Sequence, residues 1–219
     1  MTRLLLRKAT AFLLLFLVSI NVFAQRKSAP KIDQGVLDLR EWNFADHKIA
    51  LTGYWNFVEN ELISNPQAVS KQVYFPEVFA KTGHEDVNVA TYSVRVFLPG
   101  NTGKLAFEIP QLYSSYVLSV NGKAIAANGK PGTSKESTTP QWRPQVVSFE
   151  RTSDTLNIVL QIANFYHHNG GAKQPIYLGT ATMLEGHHTI AMNSNLAECL
   201  ILFVLGFSFF VIYYVRQEK

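Results

Sequence analysis

Two short segments of this 219-residue chain concentrate side chains able to hold a polyhydroxylated ligand. Gln141, Trp142 and Arg143 stand together between Pro140 and Pro144, and Asn164, Tyr166, His167, His168 and Asn169 follow a strand-like run. An aromatic ring can stack on the C–H face of a saccharide, while planar amides, a guanidinium and imidazoles can engage its hydroxyls. Pockets of that kind pair a mostly apolar wall with a few orienting polar groups. Two of these residues have a plainer reading beside the binding one. Trp142, set between two prolines, can equally close a lid over a core, and Asn164 can satisfy backbone groups in a turn.

Other chemistries are poorly supplied. His167-His168 and His187-His188 invite a metal, but adjacent strand residues point to opposite faces, so one pair seldom gives two ligands. No acid lies near the first pair and only Glu185 near the second. Asp33, Asp38, Glu41 and Asp46 are oxygen donors for calcium, but their spacing fits no known loop. No metal and no cofactor is expected. Glycoside hydrolysis needs two carboxylates at a fixed separation. Glu59, Glu61, Glu77, Glu108 and Glu150 mostly flank turns or sit on polar faces, and any pairing of them is arbitrary. G-x-S-x-G, H-E-x-x-H and a phosphate loop are all absent from the sequence. The lone Cys199 excludes an intramolecular disulfide framework and a cysteine-rich zinc site. No enzymatic activity is expected.

Strands must position the two segments. Tyr92, Val94, Val96 and Leu98 alternate with Thr91, Ser93, Arg95 and Phe97; Leu105, Phe107 and Ile109 alternate with Ala106 and Glu108; Leu156, Ile158, Leu160 and Ile162 alternate likewise. A period of two sends one set to a core and the other outward. Pro99–Gly103, Asn121-Gly122, Asn128–Gly132 and Asn169–Gly171 supply turns between the runs. Asn121-Gly122 favours a tight hairpin and reads as structural. Trp55, Phe57, Tyr92 and Phe107 read as core. No helical pattern shows before about Leu184, and several strands without βαβ alternation predict an all-β sandwich or jelly roll over 35–183. Gln25–Gln34 reads as a flexible lead, and Gly132–Pro144 as a long surface loop. Both candidate segments can then reach the same end of the sheet.

Composition and the two chain ends bound the rest. Apolar residues make up 47% and charged residues 16%, which excludes wholesale disorder. The net charge of +4 would suggest nucleic acid, but Arg3, Arg7 and Lys8 precede any acid. Without these three, 17 of the 20 basic residues face 16 acids. A nearly neutral body has no footprint for a phosphate backbone. Residues 1–24 read as a signal peptide: a basic start, an apolar stretch from Ala9 to Val22, and Val22-Phe23-Ala24 before Gln25. An uncleaved signal anchor is the other reading, though the apolar core is short for a span of about 20 residues. Residues 196–215 carry one charge, Glu198, with Tyr213 and Tyr214 near their end and Arg216 and Lys219 following, as a transmembrane helix has at a cytoplasmic face. A buried core helix is the alternative, but a helix apolar on all faces finds no place in a small β domain. The helix is expected from 184, with 185–195 extending it outward and 216–219 in the cytoplasm. The chain stops four residues past the span. It reads as an anchored ectodomain or as the front of a longer membrane protein.

LTGYWNF (51–57), FPEVF (75–79), ATYSVRVFLP (90–99) and YVLSVNGKAIAANGKPG (116–132) come in order. Together they resemble the galactose-binding-like jelly roll that precedes the catalytic barrel of family 2 glycoside hydrolases. PQWRPQVVSF (140–149), IVLQIANFYHHNGG (158–171) and IYLGTA (176–181), followed by the apolar helix, resemble the extracellular domain of bacterial 7TMR-DISM receptors. The resemblance covers roughly residues 36–215. It implies a jelly-roll sensor domain in the periplasm, anchored in the bacterial inner membrane, that binds a carbohydrate or related small ligand at the edge loops. Such receptors continue through six further helices into a signalling module, and this chain departs from them there. The resemblance thus implies the remaining receptor helices or a signalling partner, while a tethered binding module without signalling stays open beside it.

Overall fold

A computed structural model describes residues 29–217 except 46, 67–70, 84–85 and 101, without the side chains of 187–193, 215 and 217. The signal segment 1–24, residues 25–28 of the lead, Asp46, the side chains of His187 and His188, and Lys219 lie outside the described residues. The unit from Lys31 onward is described by itself.

Thirteen strands precede one helix among the described residues: β1 (Val36–Asp38), β2 (Ile49–Ala50), β3 (Gly53–Glu59), β4 (Lys71–Phe75), β5 (Val89–Phe97), β6 (Leu105–Ile109), β7 (Leu112–Tyr113), β8 (Ser115–Val120), β9 (Lys123–Asn128), β10 (Gln145–Phe149), β11 (Thr155–Ala163), β12 (Gly171–Ala172), β13 (Tyr177–Thr180) and α1 (Ala181–Gln217). The larger sheet runs β4-β3-β5-β11-β8-β9, with β1 parallel to the end of β5. A four-stranded sheet runs β10-β6-β13-β2, and β12 pairs with β7 apart from both. This is the all-β sandwich of jelly-roll type that the alternation predicts, followed by one C-terminal helix.

The period of two works as expected on β5 and β11, which pair antiparallel from Thr155↔Phe97 to Ala163↔Val89. Tyr92, Val94, Val96, Leu156, Ile158, Leu160 and Ile162 are buried. Ser93, Arg95 and Asn157 are left on the outer face. Residues of both large sheets meet in one core. Trp55, Phe57, Phe75 and Tyr92 interlock there, and Phe107 stacks on Phe149 at 5.0 Å between centroids. Each such ring contributes about 1.5–3 kcal/mol on burial. Asn121 (φ 49°) and Gly122 (φ 80°) close the β8–β9 hairpin with both central residues at positive φ.

Three features depart from the sequence expectation. The end of the lead is built in: Ile32 is buried and bridges to Gly53, and Asp33 bridges to Val36. A lone aliphatic among polar neighbours carries no period, which is why the sequence hides it. Helix α1 starts at Ala181 rather than Leu184. The Thr180 hydroxyl accepts the Met183 N–H at 3.4 Å as an N-cap, and Ala181 N–H donates to Lys104 O at 3.0 Å. Ala181 and Leu184 are buried with Ala106 of β6, and Val146 of β10 packs on them. Glu77 flanks a turn as expected, but it is buried.

The stretch Ser194–Tyr214 is long and apolar enough to cross a membrane, and its side chains are exposed rather than packed. The buried-core alternative for this helix is therefore set aside. Ser208 returns its hydroxyl to Val204 O at 2.7 Å, so its polar group is satisfied within the helix.

Candidate ligand-binding site

Strand β11 delivers the chain into a tight turn that Asn164 organises. Its backbone N–H donates to Asn88 O at 2.7 Å. Its side-chain oxygen accepts the His167 N–H at 3.1 Å, and its amide nitrogen donates to His167 O. Asn164 is buried, so the backbone-satisfying role is the one seen. The turn presents His167 as a flat ring stacked with Tyr113 at 4.5 Å and with His168 at 4.7 Å. His167 Nδ1 accepts the Asn169 N–H at 3.0 Å, which leaves the proton of the neutral ring on Nε2. His168 Nε2 lies 2.8 Å from Asn169 Nδ2, and Lys173 Nζ sits 4.7 Å from the Tyr113 ring centre.

Tyr166 joins this turn to the long loop. It is half-exposed, and its hydroxyl donates to Lys135 O at 2.9 Å, with Thr138 O at 3.4 Å. Lys135 Nζ lies 5.5 Å from its ring centre. The loop is folded on itself: Lys130 and Thr139 exchange backbone bonds, and Thr138 Oγ1 donates to Ser134 O at 2.7 Å. Further along, Gln141 N–H donates to Ser114 O at 2.9 Å, and its side-chain oxygen accepts Gly129 N–H at 3.0 Å. Arg143 O accepts Asn128 Nδ2 at 2.6 Å. These two anchors hold the backbone on either side of Trp142, a residue that is 45% exposed. The lid reading of Trp142 does not hold in this structure.

A cleft of about 320 Å³ opens beside the turn. Its lining takes in Asn164, Tyr166, His167 and His168, with Phe79, Val87 and Asn88. Gln141, Trp142, Arg143 and Asn169 are not in that lining, so the structure gathers four of the eight candidates round one cavity. The cleft is lined mainly by amide, phenol and imidazole groups, with Phe79 and Val87 buried behind them, and lies at the small end of the usual range of about 300–1,000 Å³ for ligand pockets. Among the described residues, no group of three or more His, Cys, Asp or Glu could hold a metal ion.

Tyr113 carries no signal in the sequence and Phe79 none beyond the FPEVF motif, because the two-residue β7 and the short 3₁₀ turn Phe79–Lys81 are too brief to show a period. What fixes Phe79 is also hidden. Its N–H donates to Gly170 O at 3.0 Å, and Ala172 N–H donates to Glu77 O at 2.7 Å. The Glu77 carboxylate accepts Tyr92 Oη–H at 2.6 Å and Thr82 Oγ1–H at 2.9 Å. Burial pushes the Tyr92 phenol well above its usual range, and the charge and hydrogen bond of Glu77 push it the same way.

No protein-family profile matches the sequence, and neither does any curated protein. The fold is similar to parts of solved glycosidases. A GH2 β-galacturonidase from Eisenbergiella tayi bound to galacturonate shows 15% identity and a TM-score of 0.45, over 61% of this chain and 24% of that one. A β-glucuronidase from Ruminococcus gnavus in complex with D-glucuronic acid shows 13% identity and a TM-score of 0.47, over 60% and 29%. A β-glucuronidase from an uncultured Clostridium sp. shows 11% identity and a TM-score of 0.46, over 60% and 28%. This chain thus spans less than a third of each. The sandwich stands on its own strand pairing, and these likenesses add no argument about activity or ligand.

Proposed function

We propose that this chain is a non-catalytic, membrane-anchored sensory domain of the 7TMR-DISM type. It stands in the periplasm of a bacterial cell and binds a carbohydrate or related small ligand at the His167 cleft. The observation that carries the reading is the join between sandwich and helix. Strand β13 ends at Thr180 and α1 begins at Ala181, with no linker between them. The anchoring contact reaches back towards the cleft. Tyr166 bonds the tip of the long loop, the loop runs through Gln141, Trp142 and Arg143 into β10, and Val146 of β10 packs on Ala181 and Leu184. A ligand that favours one arrangement of the turn and loop would shift the top of the helix by that route. It can do so only through different affinity for two arrangements.

The test uses the full chain in nanodiscs of neutral lipid, unfolded thermally against a panel of neutral mono- and oligosaccharides. A ligand at about 100 times its Kd stabilises a native state by about 2.7 kcal/mol. The expected result is a raised midpoint that disappears in His167→Ala, and a helix top whose spin-label mobility at Glu185 changes with the same saccharide. A well-folded chain with a flat panel overturns the cleft reading.

A further inference from the structure

The outer face of the larger sheet carries a second concave surface, remote in residue content from the cleft. Two adjoining depressions, about 530 and about 610 Å³, share Asn65, Asn157 and Val159 as lining. Strand register explains why they form one trough. Asn56 stands opposite both Gln72 and Ser93, Ser93 opposite Val159, and Arg95 opposite Asn157. Small or planar side chains at these outward positions leave the sheet surface low, and the segment Ser64–Pro66 adds lining to both depressions. The lining is rich in amides and hydroxyls. Arg95 Nε donates to Asn157 Oδ1 at 3.3 Å and Gln72 Nε2 to Asn56 Oδ1 at 3.4 Å, so the planar groups are held in place.

Arg95 is the one charged residue among the lining residues of both depressions. It is exposed, and its side chain bonds a neutral amide. Asp38, two positions along β1 from Val36, is already engaged by Arg40 Nε at 3.0 Å and Arg40 Nη2 at 2.6 Å. One step along the same face, Tyr54 and Tyr74 stand opposite each other, 49% and 44% exposed, edge to face at 5.5 Å. A cation with no acid bonded to it among the described residues, a row of amides and an exposed aromatic pair on one open trough complement a chain of pyranose rings that carries a carboxylate.

We propose that this trough binds an acidic oligosaccharide of the uronate class. Arg95 meets a ring carboxylate, Asn56, Asn65 and Asn157 meet hydroxyls, and the Tyr54–Tyr74 pair stacks on a neighbouring ring. The site shares no residue with the His167 cleft, so each can fail alone.

The test titrates a short oligogalacturonate, and the same oligomer as its methyl ester, into the full chain in nanodiscs of neutral lipid. The ester keeps the rings and removes the charge. A solvent-exposed ion pair carries up to about fivefold in affinity. The acid is expected to bind about two- to fivefold tighter than the ester. Arg95→Gln should lose that preference and Tyr54→Ala should weaken both forms, while His167→Ala binds as the parent does. Equal binding of acid and ester, or no binding of either to the folded chain, overturns the proposal. Acid binding that survives Arg95→Gln but falls in His167→Ala places the uronate in the cleft and overturns it as well.

Discussion

Replacing Tyr92 by Phe removes one hydroxyl and keeps the ring. That ring packs against Trp55, Phe57 and Phe75 at centroid distances of 6.5, 4.9 and 5.4 Å, so the aromatic burial is retained. What goes is the 2.6 Å bond to Glu77, between groups 0% and 4% exposed. A hydrogen bond to a charged group is worth about 1.5–3 kcal/mol. A loss of about 2 kcal/mol is expected at neutral pH, and at about 2–4 °C per kcal/mol for a chain of this size Tm falls by about 4–8 °C. The alkaline limb adds a second signature. In the unfolded chain Tyr92 ionises near its ordinary value of 10.0, whereas the fold keeps it protonated well above that. As pH rises past about 10 the unfolded state loses its proton first, so stability falls by about 1.4 kcal/mol per pH unit for that tyrosine. Tyr116, pushed up to about 12 by burial, acts in the same direction between about 10 and 12. The Tyr92→Phe chain should therefore be less stable at neutral pH and have a shallower alkaline slope. Calorimetry of the full chain in micelles, from neutral to alkaline pH, reads both. A variant within about 0.5 kcal/mol of the parent, with the same alkaline slope, would refute the buried carboxylate–phenol pair.

Three further outcomes follow from contacts already described. In Gly170→Ala the new Cβ meets Asn164 Nδ2 at 2.6 Å and Phe79 Cδ2 at 2.7 Å, so the Asn164 turn must open at a cost of about 1–3 kcal/mol. Thermal unfolding and amide exchange over 164–170 read this, against Gly186→Ala, where nothing lies within 4 Å. Leu184→Ala, at a site 1% exposed, should cost about 2 kcal/mol and speed proteolysis at the start of α1. Unchanged proteolysis would deny the helix top its anchoring role. Leu205→Arg, within the candidate span, adds about 2.5–3.5 kcal/mol to insertion and should move the chain out of the carbonate-resistant membrane fraction. Full retention there would remove the argument for a single span at that helix.

The long strands were legible because several residues report one face. Tyr92 to Leu98 and Leu156 to Ile162 repeat the same alternation, and the structure pairs these two runs with each other. The Asn121-Gly122 hairpin was legible because its backbone demands those residues. Two-residue strands such as β2, β7 and β12 give no period, so Tyr113 and its stack on His167 were invisible. The turn at Asn164 was readable as a local pattern. The bond from Tyr166 to Lys135, 31 residues away, was not, because only the folded sheet brings the two segments together. Trp142 shows the limit from the other side. Its neighbours suggested both a lid and a binding face, and what sets its exposure is the pair of backbone anchors at Gln141 and Arg143.

The continuous helix also sets a height. Beyond the buried Leu184, residues 185–193 rise about 1.5 Å each before the apolar stretch begins at Ser194, a stalk of about 14 Å. With the span in a bilayer, the sandwich is carried clear of the lipid surface, where it meets polymers and solutes rather than headgroups. The same stalk fixes a compass bearing. Each residue inserted or removed there turns the sandwich by about 100° and raises or lowers it by about 1.5 Å, so the direction in which the cleft and the trough look is written into the length of that segment.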